Sequence, residues 1–128
     1  MQTEENPQDS ESTKALVADY MDVVNRALAR HGDQAPVKDL LVLIDKMVAG
    51  KQRVGLAILT AGAESPQDYF TAICNPANRL EIVAHGKHLP NVEWKLEREQ
   101  MARVVANADH YVDNPAELDW DWLRSRFG

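Results

Sequence analysis

Apolar residues recur with a helical period in the first third of the chain. From Leu16 to His31 they fall three or four positions apart and so line one helical face. The pattern returns over residues 37–48, after Pro36, which suits a first helical turn, and before Gly50, a typical stop signal. The pattern therefore predicts two amphipathic helices in this part of the chain.

The middle of the chain contains three short apolar runs. They cover residues 53–60, 69–74 and 79–84. The last two are separated by Asn75 and Pro76, which favour a type I turn, so we expect a small three-stranded antiparallel meander. A helical interpretation stays open, because Ser65-Pro66 and Asn75-Pro76 also resemble capped helix starts. Under that interpretation the protein is all-α.

Helical spacing returns in the last third of the chain. It begins after Pro90 and includes Trp94, and Asn114-Pro115 then interrupts the chain. A last helix is expected from Pro115 to about Phe127. Together the elements predict the α+β class, with two N-terminal helices, the meander and two C-terminal helices.

Composition and charge narrow the organisation further. The chain has 128 residues with 45% hydrophobic and 27% charged residues, which is typical of one globular domain. Residues 12–128 are expected to form it, whereas residues 1–11 are acidic, have no apolar cluster and predict a disordered tail. The net charge of −6 and the absence of a Lys/Arg stripe disfavour nucleic-acid binding. With neither a membrane-length apolar run nor a signal peptide, we expect a cytoplasmic protein without membrane contact.

Few residues suggest catalytic or metal chemistry. Glu81, His85 and His88 would share one face of a helix and could ligate zinc there, but a strand would separate His88 from the other two. Cys74, the single cysteine, ends an apolar run and is interpreted as a small buried hydrophobe. Nucleotide-binding and hydrolase motifs are absent. We therefore expect no metal and no cofactor, and an enzyme is the less favoured class.

The predicted last helix is the strongest candidate for a binding site. Helical spacing places Trp120, Leu123 and Phe127 on one face, and Leu118 and Trp122 on another. A small domain has difficulty covering both faces of a terminal helix, and tryptophan is enriched at binding hot spots. One face is therefore expected to meet a partner. The alternative is that both tryptophans simply seal the edge of the core.

Three functional hypotheses follow from these patterns. The leading one is a small non-enzymatic protein that binds another protein, or a second copy of itself, through the aromatic helix, as adaptor, accessory, immunity or chaperone-like proteins do. The second is a small metal-binding protein or enzyme that uses Glu81, His85 and His88. The third is an acidic nucleic-acid mimic that inhibits a DNA-binding partner. Its acidic cluster comprises Asp109, Asp113, Glu117, Asp119 and Asp121.

Overall fold

The computed structural model describes residues 7–30, 33–35, 37–60, 62 and 64–127, with side chains described between residues 13 and 125. Helices α1 (Pro7–Arg30) and α2 (Val37–Ala49) come first. The strands are β1 (Arg53–Leu59), β2 (Asp68–Cys74), β3 (Leu80–His85) and β4 (Val92–Glu97). They are followed by α3 (Arg98–Ala106), α4 (Ala108–Asp113), a short 3-10 helix (Pro115–Glu117) and α5 (Asp121–Phe127).

The four strands form one sheet in the order β3-β2-β1-β4. Strands β1, β2 and β3 pair antiparallel in succession, whereas β4 pairs parallel to β1. The predicted α+β class and the meander are confirmed, and the all-α alternative is wrong. The sheet nevertheless has four strands rather than the three expected from the sequence.

The additional strand is β4, which the sequence pattern assigned to a helix. Its residues alternate, with Val92, Trp94 and Leu96 on the core side and Glu93 and Lys95 exposed on the other. Trp94 is seven positions before buried Met101, a spacing that also suits a helix. Pairing with β1 settles the conformation, because it satisfies backbone groups of β4 and brings its apolar side chains into the core.

The helices cover one face of the sheet, and the core lies between the two layers. Val54, Leu56 and Ile58 of β1 are completely buried on this side. At the centre of the core, Trp94 stacks on Trp122 with ring centroids 4.4 Å apart, and Tyr20 of α1 lies 5.9 Å from Trp94. Large aromatic side chains supply much of the buried apolar area, so this cluster stabilises the packing of α1 and α5 on the sheet.

Helix α1 also closes part of one sheet edge. The side-chain amide of Asn25 donates to the carbonyl oxygen of Leu80 at 3.0 Å and accepts the Leu80 N–H at 2.7 Å. Asn25 thereby takes the place of a neighbouring strand at the start of β3. Both side-chain atoms of this buried amide are satisfied, as burial of polar groups requires.

The N-terminal segment is helical from Pro7, inside the range 1–11 that was expected to be a disordered tail. Residues 1–6 lie outside the described residues, so the expectation for them stays a prediction. Among the helices of the described ranges, none has both the length and the apolar character needed to cross a membrane.

Candidate functional site

The chain crosses the sheet on the face that the helices leave uncovered, here called the open face. Strands β3 and β4 lie at opposite ends of the sheet, so residues 86–91, the crossover segment, must pass over β2 and β1. The hydroxyl of Thr71 donates to the Gly86 carbonyl oxygen at 2.7 Å and accepts the His88 N–H at 3.1 Å. At the far end, the N–H of Arg53 donates to Asn91 Oδ1 at 2.8 Å. These bonds fix the crossover segment to the sheet.

Gly55 makes room for Tyr69 on the open face. A Cβ atom at Gly55 would lie 2.0 Å from the Tyr69 hydroxyl oxygen and 3.0 Å from Cβ of Pro90 in the crossover segment. The tyrosine ring therefore lies across β1, and its hydroxyl donates to Glu93 Oε2 of β4 at 3.1 Å. A glycine inside a strand marks a close approach of this kind, where a side chain would not fit.

A cleft of about 670 Å³ lies beside Tyr69 on the open face. Its volume is in the usual range for binding pockets. Leu59 and Pro66 supply apolar surface, and the Lys87 ammonium lies 5.5 Å from the Tyr69 ring centroid, a cation–π distance. The complete lining comprises Ala57, Leu59, Glu64, Pro66, Tyr69, Lys87, Glu93 and Lys95. The cleft thus combines an apolar part, a phenol and charged groups of both signs.

The Tyr69 phenol is held in its neutral form. Burial, with the hydrogen bond to Glu93 and the charge of that carboxylate, raises the pKa of Tyr69 to about 12. At neutral pH the hydroxyl is therefore a hydrogen-bond donor rather than a base or a nucleophile. Its chemistry suits positioning and recognition.

The structure gives the three proposed metal ligands separate partners. Glu81 Oε1 accepts from the side-chain amide of Asn75 at 3.3 Å. His85 Nε2 lies 2.7 Å from Asp68 Oδ1, and His88 Nε2 lies 3.0 Å from the carbonyl oxygen of His85. In the described part of the chain, no group of three or more His, Cys, Asp or Glu residues could hold a metal ion. The expected absence of metal and cofactor stays a prediction.

Cys74 lies at the end of β2 with 7% of its surface exposed. Burial raises the pKa of its thiol to about 12, so the nucleophilic thiolate is scarce at neutral pH. The side chain therefore has the environment of a small buried hydrophobe.

The aromatic C-terminal segment is not the continuous helix that its sequence predicts. A 3-10 turn and α5 are separated at Leu118–Trp120, where the Trp120 indole N–H donates to the Pro115 carbonyl oxygen at 2.7 Å. The Asp121 N–H donates to Asp119 Oδ1, and α5 begins at Asp121. Because Leu118 and Trp120 lie outside α5, the two helical faces drawn from spacing do not exist as such.

The chain itself buries the members of both groups whose side chains are described, namely Leu118, Trp120, Trp122 and Leu123. Leu118 and Trp122 are each 6% exposed, Trp120 is 2% exposed and Leu123 is fully buried. The expectation that one group would be left uncovered is therefore not met by these four residues, and the side chain of Phe127 lies outside the described residues. That the segment contacts another protein stays a prediction.

Most of the acidic cluster is engaged within the chain. Asp109 pairs with Arg26 at 3.3 Å and Asp113 with Arg30 at 3.4 Å. Asp119 Oδ2 accepts the Trp94 indole N–H at 3.3 Å. These three carboxylates thus have partners on α1 and β4, and their geometry gives the phosphate-mimic hypothesis no support.

Comparison with models of known protein families, with curated proteins and with solved structures finds no match.

The cleft is difficult to predict from the amino-acid sequence. Tyr69, Glu93 and Lys95 belong to strands that only the sheet order brings together. The available signal was Gly55, an isolated glycine inside an apolar strand run.

Proposed function

We propose that this protein is a non-enzymatic binding protein that holds a segment of another protein in the cleft of the open face. The observation that carries the proposal is the cleft itself, which is built by a glycine that admits Tyr69 and by a crossover segment fixed to the sheet. Strands β1, β2 and β4 and the crossover segment position most of its lining, as a preformed recognition site requires.

The chemistry of the lining supports protein binding. Tyrosine combines a large apolar ring with a hydrogen-bonding end and is enriched at protein interfaces. Leu59 and Pro66 offer an apolar contact, while the charged groups offer partners for both acidic and basic side chains. The proposed occupant is a peptide segment with an apolar side chain flanked by charges. The Tyr69 hydroxyl, whose hydrogen is donated to Glu93, would orient the segment by accepting a hydrogen bond on its oxygen.

Site-specific photo-crosslinking in the native host tests this proposal. A photoreactive residue at Leu59, in the cleft, is compared with the same residue at Val42, which is 54% exposed on α2. We expect a discrete crosslinked protein from the first position and none from the second. Equal products from both, or no product from Leu59, would contradict a binding site in the cleft.

The captured partner then allows a quantitative test. Tyr69→Ala removes the central side chain of the cleft and is expected to weaken binding by at least tenfold, the scale of a typical aromatic hot spot. The control is Tyr111→Ala, because Tyr111 of α4 is also a partly buried tyrosine but does not line the cleft. Unchanged affinity with Tyr69→Ala would place the contact elsewhere, with the aromatic C-terminal segment as the next candidate.

A further inference from the structure

The two edge strands of the sheet, β3 and β4, differ in how they are protected from pairing with another strand. Strand β3 has a register shift opposite Thr71 and Ala72, and its Leu80 backbone is bonded to Asn25 of α1. Bulges and covering elements are the usual protection of an edge strand. Over the ranges that the structure describes, β4 shows neither a register shift nor a bonded covering element. It pairs with β1 in regular register over six residues, and in the described chain none of its backbone groups bonds to anything on its outer side.

A regular, uncovered edge is a template for another strand. The occupant must match the side-chain pattern of β4, in which Glu93 and Lys95 stand on the open face while Val92, Trp94 and Leu96 stand on the core side. Strand β4 of a second copy, running antiparallel to the first, has the same alternation of side chains and therefore matches this pattern. Residues on the same face then oppose each other across the new pairing.

Charge selects one register among those available. With Trp94 opposite Trp94 of a second copy, Glu93 lies opposite Lys95 of that copy, and Lys95 lies opposite its Glu93. The nearest registers that keep the faces aligned instead oppose Lys95 with Lys95 or Glu93 with Glu93, and directly opposed like charges are destabilising. A register shifted by a single residue would place core-side residues of one β4 strand opposite open-face residues of the other.

We propose that two copies of this chain associate through antiparallel pairing of their β4 strands, with Trp94 at the two-fold axis. The association joins the two sheets into one, and the two open-face clefts lie on either side of the seam, since Glu93 and Lys95 line both the cleft and the pairing. This inference does not depend on the proposed binding of another protein.

Charge reversal tests the proposed register. In Glu93→Lys, each copy presents lysine at both positions, and in Lys95→Glu each presents glutamate at both, so each variant alone opposes like charges. Both side chains are exposed, so both variants are expected to fold. Sedimentation equilibrium should show wild-type dimers that dissociate on dilution and weaken with added salt. Each variant alone should dimerise at least roughly tenfold more weakly.

Mixing the two variants gives the decisive measurement. An equimolar mixture opposes lysine to glutamate at every charged pair, so heterodimers should form with an affinity close to that of the wild type. Amide hydrogen exchange adds a positional readout. Exchange in residues 92–97 should slow as concentration rises, whereas exchange in residues 80–85 should not change.

Two control variants separate charge pairing from other effects. Tyr69→Phe removes the hydrogen bond to Glu93 without changing charge, and Glu81→Lys makes the same charge change on β3. Both should dimerise like the wild type. The proposal is overturned if the wild type stays monomeric at every attainable concentration. It is also overturned if the single variants dimerise normally, or if their mixture shows no heterodimer preference.

Discussion

The two faces of the sheet are covered by different kinds of contact. On the helix-covered face, Val54, Leu56 and Trp94 are buried under a continuous apolar layer. On the open face, the crossover segment is held against the sheet by hydrogen bonds to Thr71 and Arg53. The first face derives its stability from buried area, and the second from a few directional contacts. The difference teaches that the two sides of one sheet can be held by different kinds of contact, so substitutions on them should have different consequences for stability.

The largest expected effect concerns the covered face. Trp120→Ala and Trp122→Ala should each destabilise the protein by roughly 3–5 kcal/mol, because both side chains are buried in the core. Lys95→Ala on the open face should change stability by no more than about 0.5 kcal/mol. Urea denaturation of the three variants measures the contrast. If either tryptophan variant were as stable as the wild type, that side chain would be a better candidate for contact with a partner.

Phenylalanine substitutions at the same two tryptophans test the contribution of the indole hydrogen bond. Trp120→Phe removes an indole N–H that donates to the Pro115 carbonyl oxygen, whereas the buried Trp122 Nε1 has no hydrogen-bond partner among the described residues. Loss of a buried hydrogen-bond partner costs about 1–3 kcal/mol. We therefore expect Trp120→Phe to lower the free energy of unfolding more than Trp122→Phe does. The reverse order in chemical denaturation would contradict this.

The next largest expected effect on stability concerns β3, the edge strand that Asn25 of α1 protects. Asn25→Ala leaves the N–H and the carbonyl oxygen of Leu80 without their partner and should cost about 1–3 kcal/mol. Amide exchange at Leu80 should accelerate as well. Asp22→Ala, one turn earlier on α1 and exposed, is the control and should have little effect. Equal stability of the two variants would show that Asn25 does not protect the edge.

On the open face, Gly55→Ala should displace Tyr69, since the new Cβ would meet its hydroxyl. Overpacking of this kind typically costs about 1–3 kcal/mol. Tyr69→Val removes the ring, so the double variant should recover part of the stability that Gly55→Ala loses. A double-mutant cycle in thermal unfolding measures the coupling. Strictly additive effects would mean that the two residues do not contact each other.

The smallest effect concerns protonation. The pKa of Tyr69 is raised from its ordinary value of 10.0 to about 12, so the folded state favours the neutral phenol. The associated stability is fully present below pH 10.0 and is lost as the pH rises through about 12. Glu93→Gln should lower the pKa of Tyr69, though not to its ordinary value, because burial is the larger cause. Ultraviolet titration of tyrosinate, with Tyr69→Phe subtracted, checks both statements.

The amino-acid sequence by itself determined the elements with strong local signals. The first two helices follow from apolar periodicity over three turns or more, and the meander from short apolar runs separated by turn residues. Asn75-Pro76 illustrates why, because the Asn75 side chain bonds the Ala77 and Arg79 N–H groups and closes the β2–β3 turn locally. Such contacts span a few residues and can be recognised from residue type.

Only the tertiary structure decided the rest. The conformation of β4 depends on β1, some forty residues earlier in the chain, and the position of Trp122 depends on stacking against Trp94. The cleft requires Gly55, Tyr69 and Glu93 to meet across three strands. Periodicity reports which side of an element is apolar but not which element will cover it, because burial depends on contacts between residues that are distant in sequence.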